Sequence, residues 1–90
     1  MAWTVEVADT AERQLRKLDP PVRRRILDWL HERIVGCKNP RHFGEALKGG
    51  RESLWRYRVG DYRILCDIQD GRLVVLALAV GHRREVYRRR

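Results

Sequence analysis

The sequence predicts a small α+β domain of β-α-α-β-β-β order, with two N-terminal helices on one face of an antiparallel sheet. Three observations carry this expectation. Apolar residues alternate at the N-terminus, two helix-period stretches meet at Asp19-Pro20-Pro21, and apolar strand-like runs in the second half are separated by Gly60-Asp61 and Asp70-Gly71.

Trp3, Val5 and Val7 alternate with Thr4, Glu6 and Ala8, the pattern of a short strand with one buried face. Asp9 then stands where a helix cap is needed and Glu12 three residues on, as in a capping box, with Ala11, Leu15 and Leu18 as an apolar stripe. Proline is accepted in a first helical turn, so a second helix begins at Pro20-Pro21 and places Val22, Ile26, Trp29, Leu30 and Ile34 on one face. Arg23, Arg24, Asp28, His31 and Glu32 fall on its other, solvated face. Residues 36–50 carry glycine, proline and asparagine and few apolar residues, so they are read as a connecting loop with a short turn around Glu45 to Lys48. Asp70-Gly71 suits a two-residue type I′ turn, which would set Ile68 by Leu73, Cys66 by Val75 and Arg63 by Leu78. The run Leu73 to Val80 is apolar on both faces, as in a central strand.

Ninety residues support one core, read as a single domain over 1–90. Twenty Lys and Arg against twelve Asp and Glu give a net charge of +8, with five of the cations after residue 82. This favours polyanionic partners, nucleic acid ahead of an acidic protein or an anionic membrane. The apolar run from Leu73 is too short to span a bilayer and the first residues do not read as a signal peptide, so the expected location is cytoplasmic. Cys37 and Cys66 are the two cysteines, and Cys66 falls on an apolar strand face as a buried free thiol. His31, Cys37 and His42 lack zinc-site spacing, so neither a metal nor a cofactor is expected.

The segment Leu54 to Ile68 carries the chemistry. With Gly60-Asp61 at the centre of a tight turn, Val59 pairs with Tyr62, Arg58 with Arg63 and Tyr57 with Ile64, so Arg56, Arg58 and Arg63 share one face and Trp55, Tyr57, Tyr62 and Ile64 the other. Like charges set opposite each other destabilise a sheet. An anion between Arg58 and Arg63 removes that cost, and a phosphodiester fits guanidinium geometry. Continuing the pairing places Val80 and His82 on the arginine face, with Arg83 and Tyr87 beyond. Such a cluster suits charge stabilisation at phosphorus. Paired carboxylates for two-metal chemistry are lacking on this face, whereas RNA brings its own nucleophile in the 2′-hydroxyl. The alternative from pairing alone is a basic face that only binds an acidic partner.

Leu47-Lys48-Gly49, the segment Trp55 to Ile64, and Val80-Gly81-His82-Arg83-Arg84-Glu85-Val86-Tyr87 together resemble the RelE/ParE toxin superfamily over nearly the whole chain. The resemblance implies the RelE/ParE fold and, by its RelE branch, a ribosome-dependent, metal-independent endoribonuclease that cuts mRNA by 2′-hydroxyl attack and stops translation. It implies Arg58, Arg63, Arg83 and Tyr87 as catalytic residues and Arg56 and Lys48 as substrate-binding ones, to which the strand pairing adds His82 as a substrate-binding residue. A cognate antitoxin is the implied protein partner, with the ribosome and mRNA as targets, no membrane, and operator DNA reached through the antitoxin. The ParE branch, similar in fold, poisons DNA gyrase and generally lacks this basic set. Arg56 and Arg58 stand where the RelE pattern has lysines, and arginine is a poor proton acceptor, so the general base is left open between Tyr87 and His82.

Overall fold

A computed structural model describes residues 2–47 and 53–82. Strand β1 (Thr4–Val7) leads into helices α1 (Asp9–Arg16) and α2 (Pro20–Arg33), a 3-10 turn at Pro40–His42, and strands β2 (Glu45–Ala46), β3 (Leu54–Val59), β4 (Tyr62–Gln69) and β5 (Val74–His82). The strands form one sheet in the order β1-β5-β4-β3-β2. The α+β class and the two-helix layer are as expected. The sheet is mixed, however: β1 runs parallel to β5, and the other pairings are antiparallel. The chain between this parallel pair runs through both helices and strands β2, β3 and β4, far more than the crossover that parallel strands require.

Helix α1 starts without the anticipated capping box. Its N-cap is Ala8, held extended with no side-chain cap, because the Ala8 N–H still donates to the Ala77 carbonyl at 2.9 Å and prolongs the β1–β5 ladder. Asp9 and Glu12 instead place negative charge in the first turn, where the helix dipole favours it. Helix α2 begins at Pro20, which gives up no hydrogen bond there, and its end is tied to β1 by the Gly36 N–H donating to the Trp3 carbonyl at 2.9 Å. Among the described residues no helix is long and apolar enough to cross a membrane.

The core lies between the helices and one sheet face. Ala11, Leu15, Ile26, Leu30 and Ile34 from the helices meet Trp3, Tyr57, Val59, Ile64, Cys66, Ile68, Val75, Ala77 and Val80 from the strand layer. Cys66 is a fully buried free thiol, as its place in the alternation implied.

The two hairpins differ from each other. The β3–β4 turn is the two-residue loop Gly60-Asp61, with positive φ at Gly60 (+61°) and not at Asp61, the pattern of a type II′ turn. Its register is the expected one: Arg58 opposite Arg63, Tyr57 opposite Ile64. The β4–β5 connection is longer than a type I′ turn, running Asp70-Gly71-Arg72-Leu73, with Leu73 at φ +56°. Ile68 therefore pairs with Val75 rather than Leu73, and Cys66 with Ala77 rather than Val75. Leu73 is held there because its carbonyl accepts from the Thr4 N–H of β1 at 3.0 Å.

A bulge then changes the faces. Cys66 pairs with Ala77 but Leu65 pairs with Ala79, so Leu78 is an extra residue in β5. One extra residue inverts the alternation beyond it. Val80 consequently pairs with Ile64 and His82 with Tyr62, on the helix-covered face, and Gly81 rather than Leu78 stands opposite Arg63. The Val80 N–H donates to Gln14 Oε1 of α1 at 2.7 Å, which anchors the strand past the bulge.

Candidate functional site

The sheet face away from the helices carries the charge. Alternation along the hairpin sends Arg56, Arg58 and Arg63 to this face while Tyr57, Val59 and Ile64 enter the core. Arg58 is the most open of these cations, with 62% of its side chain accessible, against 19% for Arg56.

An acidic residue from the segment expected as a connecting loop stands beside them. Glu45 in β2 is in register with Arg56, forms an ion pair with the Arg56 guanidinium, and lies 3.7 Å from Arg58 Nη2. The hydrogen bond and charge of Arg56, then the charges of Arg58 and Arg63, hold its carboxyl below the ordinary range despite its exposure. The chain itself thus supplies an anion to Arg56 and Arg58, though not between Arg58 and Arg63. Arg63 forms no ion pair within 4 Å among the described residues.

Backbone geometry explains how Glu45 arrives there. Gly44 has φ +71°, and a Cβ on it would sit 2.2 Å from the Arg56 carbonyl oxygen and 2.8 Å from Tyr57 Cδ1. Only glycine lets this segment press against β3. The segment is fastened by two side-chain donors of β3: Tyr57 Oη donates to the Pro40 carbonyl at 2.7 Å, and Trp55 Nε1 to the Phe43 carbonyl. Trp29 of α2 packs on Tyr57 (ring centroids 5.2 Å apart) and edge-on to Phe43 (6.1 Å). At the other end of the sheet Arg41 forms a two-pronged ion pair with Asp70 at 2.9 and 3.0 Å and lies 5.9 Å from the centre of the Trp55 ring.

The structure therefore brings together Arg56, Arg58 and Arg63, and adds Glu45. It does not bring His82 to them. The bulge turns His82 toward Tyr62, with ring centroids 5.6 Å apart in an edge-to-face contact, on the opposite side of the sheet. Lys48, Arg83 and Tyr87 lie outside the described residues. Glu45 was missed because a two-residue strand has no periodicity to read. The one available signal was the pair Gly44-Glu45, a backbone-permissive residue followed by an acid in a chain rich in arginine.

Two helices on one face of a small mixed sheet, with clustered arginines on the other, make a small α+β domain with one basic face. The family described as the ParE toxin of type II toxin–antitoxin systems matches residues 5–87. The chain belongs to this family and is a type II toxin of the RelE/ParE superfamily. It is similar to toxin RelG of Mycobacterium tuberculosis, 32% identical over 89 residues that cover 99% of this chain and 100% of the relative. Toxin RelE of the same organism is 29% identical over 86 residues, 96% of this chain and 87% of the relative. Among solved structures, the toxin–antitoxin complex RelBE2 of M. tuberculosis aligns with a TM-score of 0.76 at 28% identity, covering 91% of this chain and 92% of that one. The isolated E. coli RelE toxin shares the fold, with a TM-score of 0.73 at 23% identity over 97% of this chain and 98% of that one.

Proposed function

We propose that this toxin is a ribosome-dependent mRNA endoribonuclease that cleaves without a metal, using the RNA 2′-hydroxyl as nucleophile. The observation that carries the reading is the register of Arg58 opposite Arg63, a like-charge pair that a phosphodiester relieves. The 2′-oxygen bonds to phosphorus as the bond from phosphorus to the 5′-oxygen breaks, leaving a 2′,3′-cyclic phosphate and a 5′-hydroxyl. Arg56, Arg58 and Arg63 hold the phosphate, and their guanidinium groups neutralise the charge that grows on its oxygens. Glu45 keeps Arg56 and Arg58 paired in the absence of RNA, and the phosphate exchanges with it at Arg58, the more open of the two. Arg83 stabilises the departing oxygen, Tyr87 orients or deprotonates the 2′-hydroxyl, and Lys48 contacts the RNA backbone. With His82 turned toward Tyr62, the proton-transfer role in this reading rests on Tyr87.

The toxin acts in the cytoplasm and is neutralised by a cognate antitoxin that covers the basic face with acidic side chains. Several of the solved relatives are complexes with RelB antitoxins. Operator DNA is reached through the antitoxin. The second reading, a gyrase poison, is favoured by one observation, the ParE description of the matching family. Primer extension on mRNA from cells expressing the toxin separates the two. New ends at fixed codon positions are expected, and intact mRNA with gyrase-dependent DNA breaks would overturn the nuclease reading.

A further inference from the structure

Beside the arginine face lies a cleft between α2 and the β3–β4 turn, of which the cleavage chemistry uses only Arg58. It is an open hollow of about 740 Å³, lined by Pro20, Arg24, Arg25, Asp28, Trp29 and Glu32 from the helix, facing Arg58, Val59 and Gly60. That volume is typical of small-ligand sites. A second, smaller hollow of about 370 Å³ is lined by Trp29, Phe43, Glu45, Arg56 and Arg58. Trp29 and Arg58 line both, so the two hollows are neighbours, one beside the arginines and the other beside helix α2.

Three features fit an unpaired nucleotide. The half-buried Trp29 is an aromatic surface held by Tyr57 and Phe43, and bases stack on such surfaces irrespective of sequence. Arg25 spans the cleft: its guanidinium nitrogen stands 3.1 Å from where a Cβ on Gly60 would be, which places a further cation at the hairpin turn near Arg58. Asp28 and Glu32 are one helical turn apart on the same wall, and neither forms an ion pair among the described residues, although Arg24 and Arg25 are close in sequence. Two unpaired carboxylates repel phosphate, but they accept hydrogen bonds from the exocyclic amino group of a base.

We propose that this cleft is a nucleotide subsite: the base adjoining the scissile phosphate stacks on Trp29, Arg25 holds its phosphate, and Asp28 and Glu32 select a base that offers an amino group. The inference rests on the nuclease reading and adds to it a source of base preference within the toxin. Cytosine and uracil are the sharpest pair of probes, since they differ in an amino group against a carbonyl at the same ring carbon.

The test uses ribosomes programmed with mRNAs carrying cytosine or uracil on each side of the scissile phosphate in turn, with single-turnover cleavage rates for the whole toxin. Cleavage about tenfold faster with cytosine is expected at one of the two positions. In Asp28→Ala/Glu32→Ala, both residues being exposed, the ratio should fall to within about twofold of unity. Arg25→Ala should slow both substrates equally, because a phosphate contact carries no base information. Ratios identical in wild type and the double variant would overturn the subsite and leave the nuclease reading standing. A double variant that changes antitoxin affinity and not the base ratio would identify the cleft as a protein-docking surface and overturn the proposal. Absence of any cleavage by the wild-type toxin would overturn both readings together.

Discussion

The two faces of the β3–β4 hairpin are built from alternate residues of the same strands and behave as different materials. One face, with Tyr57, Ile64 and Cys66, is wholly buried beneath the helices. The other carries like charges in register, with Arg58 exposed and Arg56 and Arg63 half-buried. Each residue of β3 and β4 thus serves stability or charge, and rarely both. Gly44, just before β2, joins the two faces, since a Cβ on it would meet the Arg56 carbonyl and the Tyr57 ring at once.

Substitutions that respect this division should separate folding from activity, and the largest effect on folding should come from the buried face. Ile64→Ala removes a fully buried side chain and should cost on the order of 3 kcal/mol in urea unfolding. Cleavage per folded molecule should stay within a few-fold of wild type. Gly44→Ala is the substitution that breaks the division. It forces a side chain into left-handed backbone and into β3, so it should cost roughly 2 kcal/mol and also lower activity, because Glu45 and Arg56 move with the displaced segment. A stable Gly44→Ala toxin with full activity would show that β2 does not need its close seat.

Alkaline pH addresses the buried face. Burial pushes the Cys66 thiol up, with a smaller contribution from the Asp67 charge, and burial likewise pushes the Tyr57 phenol up. Both groups are held neutral in the fold, whereas in the unfolded chain they ionise near about pH 8.5 and about pH 10. Their contribution is therefore complete below about pH 8 and is lost as pH rises above it. The urea midpoint should drop between pH 7 and pH 10, in parallel for wild type and Arg63→Ala. A flat midpoint would place the source of stability elsewhere.

Glu45→Gln should have the smallest effect on folding, because the carboxylate is exposed. Its lowered pKa means the ion pair with Arg56 is present above the ordinary carboxylate range and is lost as pH falls below it. Removing the charge should tighten binding of a single-stranded RNA oligonucleotide at neutral pH and steepen its salt dependence by about one unit of log–log slope. Unchanged affinity across the salt range would mean that Glu45 does not compete with phosphate.

Much of the first hairpin was legible in the sequence because its turn is local. Gly60 fixes a two-residue loop, and the alternation from Trp55 to Ile64 is clean, so both the register and the arginine face could be read directly. The second hairpin was not. Asp70-Gly71 indicates a tight turn, but the observed loop is set by Leu73, whose left-handed backbone is held by β1, a partner distant in sequence. The bulge at Leu78 was invisible for a different reason. Leu76, Ala77, Leu78 and Ala79 are apolar on both faces, so the pattern carries no information on which way each side chain points. That single residue moved His82 from the arginine face to Tyr62. The capping box at Asp9 failed in the same way, overridden by a ladder bond from Ala8 to Ala77.

The central claim is that the open face acts on a phosphodiester, and Arg63→Ala tests it most directly. Arg63 is half-buried, lies outside the core and makes no ion pair among the described residues, and its removal relieves the like-charge opposition with Arg58, so the variant should unfold at or slightly above the wild-type urea concentration and bind antitoxin. The measurement is its single-turnover rate of mRNA cleavage on programmed ribosomes. A loss of about a hundredfold, the usual cost of removing one charge-stabilising contact, is the expected result. A folded Arg63→Ala toxin that cuts at the wild-type rate would contradict the claim.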